Sequence, residues 1–147
     1  MIKPLVFEMK IELAAPPAKL WPFLVDWENL GSWMKEGRRF KVTSRAREGV
    51  GVTAEADIRI ARVTTHDLIR VTQWQPRRLL EIQHLGWVKG NGRMTIAETG
   101  PGSALFWTET LIPPLGLVGS FGLKVLRPLI HRVFRRDLRL LKALVEA

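Results

Sequence analysis

The chain has 147 residues, with 23 Lys and Arg against 14 Asp and Glu, a formal net charge of +9, and no cysteine. A chain of this length suits one folding unit over residues 1–147 and buries about 70% of its unfolded surface, enough to hold without a staple. The missing cysteines exclude disulfides, thiolate nucleophiles and Cys-ligated zinc or iron–sulfur sites.

Residues 5–13 alternate, with Phe7, Met9, Ile11 and Leu13 on one side and Glu8, Lys10 and Glu12 on the other. That pattern predicts a half-buried strand. Charges inside this apolar stretch, and the lack of a small-residue cleavage site, do not fit a signal peptide. No window approaches the roughly eighteen apolar residues of a membrane span, so a cytoplasmic location is expected. Ala15-Pro16-Pro17 stops the strand and opens a short helix through Leu20, Trp21, Phe23 and Leu24, shortened or kinked by Pro22. Asp26 is placed to cap a second short helix through Trp27, Leu30 and Trp33.

Gly37 opens a series of strands. Phe40 and Val42 fall in the first, followed by a turn at Glu48-Gly49 and a long alternating run over residues 50–60. His66-Asp67 reads as the next turn, before strands at 68–74 and 79–85 broken by Gln75-Pro76. Residues 88–98 form a further strand, in which Gly90 and Gly92 suggest a bulge. Gly100-Pro101-Gly102 is a turn before the strand 103–112, and Pro113-Pro114 ends the sheet. Even spacing and tight turns predict an antiparallel meander. Gly116, Gly119 and Gly122 make residues 115–122 a flexible approach to a long amphipathic helix. Its apolar stripe includes Leu126, Ile130, Phe134, Leu138 and Leu141, and its outer face is basic, with Pro128 marking a kink or a loose first turn.

A strand, two short helices, six strands and a long helix make an α+β architecture with helices packed on one face of a sheet. The ordered set Ile11-Glu12-Leu13-Ala14-Ala15-Pro16-Pro17, Leu20-Trp21, Asp26-Trp27, Trp33, Gly49-Val50-Gly51, Trp74-Gln75-Pro76 and Gly102-Ser103 through Trp107-Thr108-Glu109 resembles the START-like, Bet v 1-like superfamily, also labelled SRPBCC or polyketide cyclase/dehydrase. The closing helix, with Arg135, Leu141-Lys142 and Leu144, is similar too. The resemblance implies a helix-grip fold, in which a curved seven-stranded antiparallel sheet surrounds the C-terminal helix. It also implies a cavity between them for a lipid, polyketide, aromatic or similar apolar molecule.

Six Trp and no Tyr suit an apolar pocket wall with single N–H donors. The residues expected to face a ligand are Trp33, Trp74, His84, Trp107, Glu109, Phe121, Leu126, Ile130 and Phe134. Glu109 shares a strand face with Leu105, Trp107 and Leu111, and an inward setting would raise its pKa and make it an acid, a base or a hydroxyl anchor. Both faces of that strand carry apolar residues, so its phase stays open. His84 lies with Leu80 and Ile82 and is the second candidate for chemistry. His66 and His131 read as surface, and no metal and no cofactor is expected.

Three functions compete. One is a carrier of a hydrophobic small molecule. The second is a polyketide cyclase or dehydratase using Glu109 and His84. The third is association of the basic C-terminal helix with anionic membrane or nucleic acid, nucleic acid being disfavoured because no basic–aromatic motif is present.

Overall fold

A computed structural model describes residues 2–147. Seven strands form one antiparallel sheet in the order β1-β7-β6-β5-β4-β3-β2. The strands are β1 (Leu5–Leu13), β2 (Gly37–Val42), β3 (Thr53–Ile60), β4 (Val63–Gln75), β5 (Leu79–His84), β6 (Lys89–Thr99) and β7 (Gly102–Ile112). Helix α1 (Pro17–Val25) and a 3₁₀ segment (Trp27–Ser32) follow β1, and α2 (Gly116–Glu146) closes the chain.

Alternation produces the sheet's two faces as expected. Leu5, Phe7, Met9 and Leu13 of β1 are buried while Val6, Glu8 and Lys10 are exposed. Opposite them, β7 buries Ser103, Leu105, Trp107 and Glu109, in a register that pairs Phe7 with Glu109 and Met9 with Trp107. The open phase of β7 is therefore settled inward. Helix α2 lays Ile130, Phe134, Leu138, Leu141 and Val145 into the core, the three- and four-residue spacing of one helical face. Lys142 Nζ donates to the Glu12 carbonyl at 2.6 Å and Arg127 Nη2 to the Val6 carbonyl at 2.7 Å, tying α2 to the edge strand β1. Among the described residues no helix is long and apolar enough to cross a membrane.

Several local expectations are corrected. His66-Asp67 is not a turn. Strand β4 runs through both residues, and the hairpin turns at Ala61-Arg62, both at positive φ (53° and 66°). Neither is the Gly or Asn that usually marks such a turn, so the signal was absent. The run from residue 50 becomes a strand only at Thr53, because Gly49 and Gly51 both have positive φ and extend the turn. Gly90 and Gly92 make no bulge, and β6 pairs without a register shift on both sides. Asp26 makes no capping bond; its carboxylate accepts two hydrogen bonds from Asn29 Nδ2. The glycines after 115 lie inside α2 rather than before it. A Cβ on Gly119 would stand 1.5 Å from the Pro114 carbonyl oxygen, so this glycine lets the first turn close on the preceding loop.

Candidate functional site

Between the concave face of the sheet and α2 lies a cavity of about 380 Å³. Leu123, Leu126, Ile130 and Phe134 of α2 form its roof, and Ile69, Ile82, Met94 and Trp107 are among the sheet residues below. Trp33 meets Trp107 edge-on at 6.4 Å, and Trp107 meets Phe134 at 4.8 Å, so an aromatic wall joins the 3₁₀ segment, the sheet and the helix. Trp33 Nε1 donates to the Phe23 carbonyl at 3.1 Å, which leaves an apolar ring facing inward.

A hydrogen-bonded polar constellation interrupts this surface. His84 Nδ1 donates to Asp67 Oδ2 at 2.6 Å, and His84 Nε2 donates to Glu109 Oε1. Trp107 Nε1 donates to Glu109 Oε2 at 2.9 Å, and the Gly86 N–H to Asp67 Oδ1 at 3.3 Å. His84 and Glu109 stand on β5 and β7, with β6 between them. They meet because β6 is bare there: Gly90 pairs with His84, and Gly92 pairs with Glu109. A Cβ on Gly92 would lie 2.6 Å from Glu109 Oε2. The glycines read as a bulge thus open a lane through which a carboxylate reaches across one strand to an imidazole.

Burial alone would lower the His84 pKa. The Glu109 charge and the hydrogen bonds to Asp67 and Glu109 outweigh it and push the value up to about 10. His84 is accordingly an imidazolium at neutral pH, held between two carboxylates. With both ring nitrogens engaged it has no lone pair for a metal, and among the described residues no group of three or more His, Asp or Glu is arranged to hold one.

Of the residues singled out in the sequence, Trp33, His84, Trp107, Glu109, Leu126, Ile130 and Phe134 all lie on the cavity wall. Trp74 does not; it packs edge-on against Trp21 at 5.2 Å and beside Trp27 in the core. Phe121 does not either. It points outward from α2 and is 72% exposed, on a helix that begins seven residues earlier than its flanking glycines suggested. Asp67 was missed through the mistaken turn, although Thr65, Asp67, Ile69 and Val71 fall at alternate positions. Glu36 also lies at the cavity and was not foreseen.

A curved antiparallel sheet wrapped on a long C-terminal helix, with a cavity between them, is the helix-grip architecture of START-like and Bet v 1-like proteins. The chain belongs to the polyketide cyclase/dehydrase and lipid transport family, whose model matches residues 4–146. Among solved structures it is similar to the ZhuI aromatase/cyclase from Streptomyces sp. R1128 (TM-score 0.83, 13% identity, 97% of this chain and 94% of that one). It is also similar to a protein from Thermus thermophilus (0.82, 18%, 96% and 97%) and to a START superfamily protein from Mycobacterium smegmatis (0.77, 17%, 96% and 97%). At these identities the likeness is one of fold. No curated protein matches the sequence.

Proposed function

We propose that this protein binds and carries a hydrophobic small molecule of lipid, polyketide or aromatic type, with at least one hydroxyl or other hydrogen-bond donor directed at Glu109 and Asp67. The observation that carries this reading is the cavity itself. An apolar void of about 380 Å³ left dry would cost on the order of 9 kcal/mol at about 24 cal/mol per Å³. That rivals the whole stability of a domain, about 5–15 kcal/mol. The walls are mostly aliphatic and aromatic, with Asp67, His84 and Glu109 gathered in one cluster and Glu36 apart from it, as in sites that bury a ligand's body and orient it by a few bonds.

The electrostatics favour binding over catalysis. A general base or acid works best with a pKa near the operating pH. His84 at about 10 stays protonated and gives up its proton reluctantly. Its role in this reading is to fix the two carboxylates in place by a hydrogen bond to each. The convergence of His84, Asp67 and Glu109 in one cavity still supports a second reading, a cyclase or dehydratase in which the imidazolium stabilises charge developing on a substrate oxygen.

The test is native mass spectrometry of freshly purified protein with extraction of bound material, beside Nile red titration of wild type and Ile130→Trp. A discrete apolar adduct, and Nile red binding abolished by the bulkier roof residue, are the expected results. Protein that is empty in every preparation and takes up Nile red equally well with Trp at 130 would overturn the carrier reading.

A further inference from the structure

Residues 110–136 contain no acidic side chain and five Lys or Arg, namely Lys124, Arg127, Arg132, Arg135 and Arg136. Over the first turns of α2 the face turned from the cavity carries Leu117, Val118, Phe121 and Val125, which are 81%, 76%, 72% and 60% exposed. Helical geometry continues the same face into Arg132, Arg135 and Arg139, all exposed. Phe121 and Arg132 are eleven residues apart, or about 16 Å along the axis at about 1.5 Å per residue. One helix face is therefore apolar at its beginning and cationic further on. The inward stripe of α2, from Leu123 and Leu126 through Ile130 and Phe134, is taken up by the cavity and core, so these four exposed apolar side chains lie outside it.

Soluble surfaces rarely leave such large apolar side chains clustered without a use. We propose that this face of α2 docks on an anionic phospholipid bilayer, with Leu117, Val118 and Phe121 dipping among the acyl chains and Arg132, Arg135 and Arg139 resting on the phosphates. Charge complementarity selects this occupant. A second copy carries the same +9; packed parallel it sets arginines against arginines, and packed antiparallel it buries arginines against Phe121 and Val118. A bilayer with acidic headgroups accepts both halves at once, as amphipathic segments rich in Lys and Arg do.

The docked end also borders the cavity. Leu115, Gly119 and Trp87 line it, and Leu115 and Trp87 are at the same time 68% and 50% exposed, so the cavity wall reaches the surface there, where an indole suits a headgroup boundary. A ligand can then pass between acyl chains and cavity without crossing water. This last step rests on the carrier reading; docking does not.

The experiment is co-sedimentation of the whole protein with vesicles of phosphatidylcholine alone and of phosphatidylcholine mixed with phosphatidylglycerol, for wild type, Phe121→Ser and Arg135→Glu. We expect wild type to sediment with the anionic vesicles and only weakly with the neutral ones. Phe121→Ser should weaken binding about tenfold, the fold-change for losing one large buried apolar side chain. Arg135→Glu should weaken it and reduce its salt sensitivity. Absence of wild type from the anionic pellet would overturn the proposal. So would anionic binding that Phe121→Ser leaves untouched, which would mean charge alone. Concentration-dependent dimers abolished by Phe121→Ser would assign the face to a second copy and overturn it as well. Sedimentation reads docking whatever fills the cavity, so a failure here leaves the carrier reading standing, and an empty cavity leaves docking standing.

Discussion

Two groups of buried acids lie within this small fold, and they solve the problem of burial in opposite ways. In Asp67–His84–Glu109 every inward carboxylate oxygen has a donor: His84 on both sides, Trp107 on Glu109, and the Gly86 N–H on Asp67. In Glu36–Asp137, where the end of the 3₁₀ loop meets α2, the donors are sparse. Asp137 Oδ1 accepts long bonds from the Lys35 N–H (3.4 Å) and Arg136 Nη2 (3.3 Å). Arg136 Nη2 stands 3.7 Å from Glu36 Oε1, and neither Glu36 Oε1 nor Asp137 Oδ2 has a hydrogen-bond partner. Burial first, then the neighbouring Asp137 carboxyl, push Glu36 up to about 9, and burial raises Asp137 as well. The first group has a cation, His84, built in between its carboxylates. The second sheds charge by holding a proton. A buried ion with a cation and donors is stable in place, whereas one without them neutralises.

The largest effect should come from removing the built-in cation. His84→Leu leaves Asp67 and Glu109 facing each other across the cavity wall and should cost about 3–5 kcal/mol at neutral pH, as for breaking a buried pair. Urea unfolding measures it. A loss below about 1 kcal/mol would mean that the group is not charge-compensated as described. Trp107→Phe keeps the aromatic wall but removes the N–H from Glu109 Oε2, and should cost about 1.5–3 kcal/mol, the range for a hydrogen bond to a charged group.

The opposite sign is expected at the other group. Glu36→Gln removes an ionisation that burial disfavours and supplies an N–H beside Asp137, so it should stabilise by about 1–2 kcal/mol near pH 8 and by little near pH 5. The sign follows from linkage. Glu36 titrates near 9 when folded against an ordinary 4.5. Its favourable contribution is thus complete below 4.5 and fades as pH rises through 9. His84, near 10 against 6.5, contributes fully below 6.5 and loses that contribution as pH rises through 10. Wild-type unfolding free energy should therefore fall with rising pH across both windows, and Glu36→Gln should remove the earlier part of the fall. The gentlest probe is imidazole nitrogen NMR, in which His84 should remain an imidazolium at pH 8; a neutral ring there would dissolve the contrast between the two groups.

The legibility of these groups differed for a physical reason. Glu109 and His84 could be singled out because each sits among apolar residues at alternate positions of a strand. Asp67 obeys the same alternation but stands beside His66, and two polar residues in succession imitate a turn. Asp137 falls three residues after Phe134 and four before Leu141, on the buried stripe of α2, and it is the first acid after Glu109. That spacing was a usable signal, yet nothing local told whether the position was buried. Trp74 and Phe121 show the converse: an aromatic residue announces burial or a surface to be covered, without saying which wall it joins.

Alternation, proline stops and the three-and-four spacing of α2 determined by themselves the order of elements, the antiparallel sheet and the closing helix, because those periods are properties of single segments. The tertiary structure alone decided which acids meet, where the cavity opens and which half of α2 is left uncovered. Those outcomes depend on register across strands and on a bare glycine lane between β5 and β7, and a contact between residues far apart in sequence leaves no period in either segment.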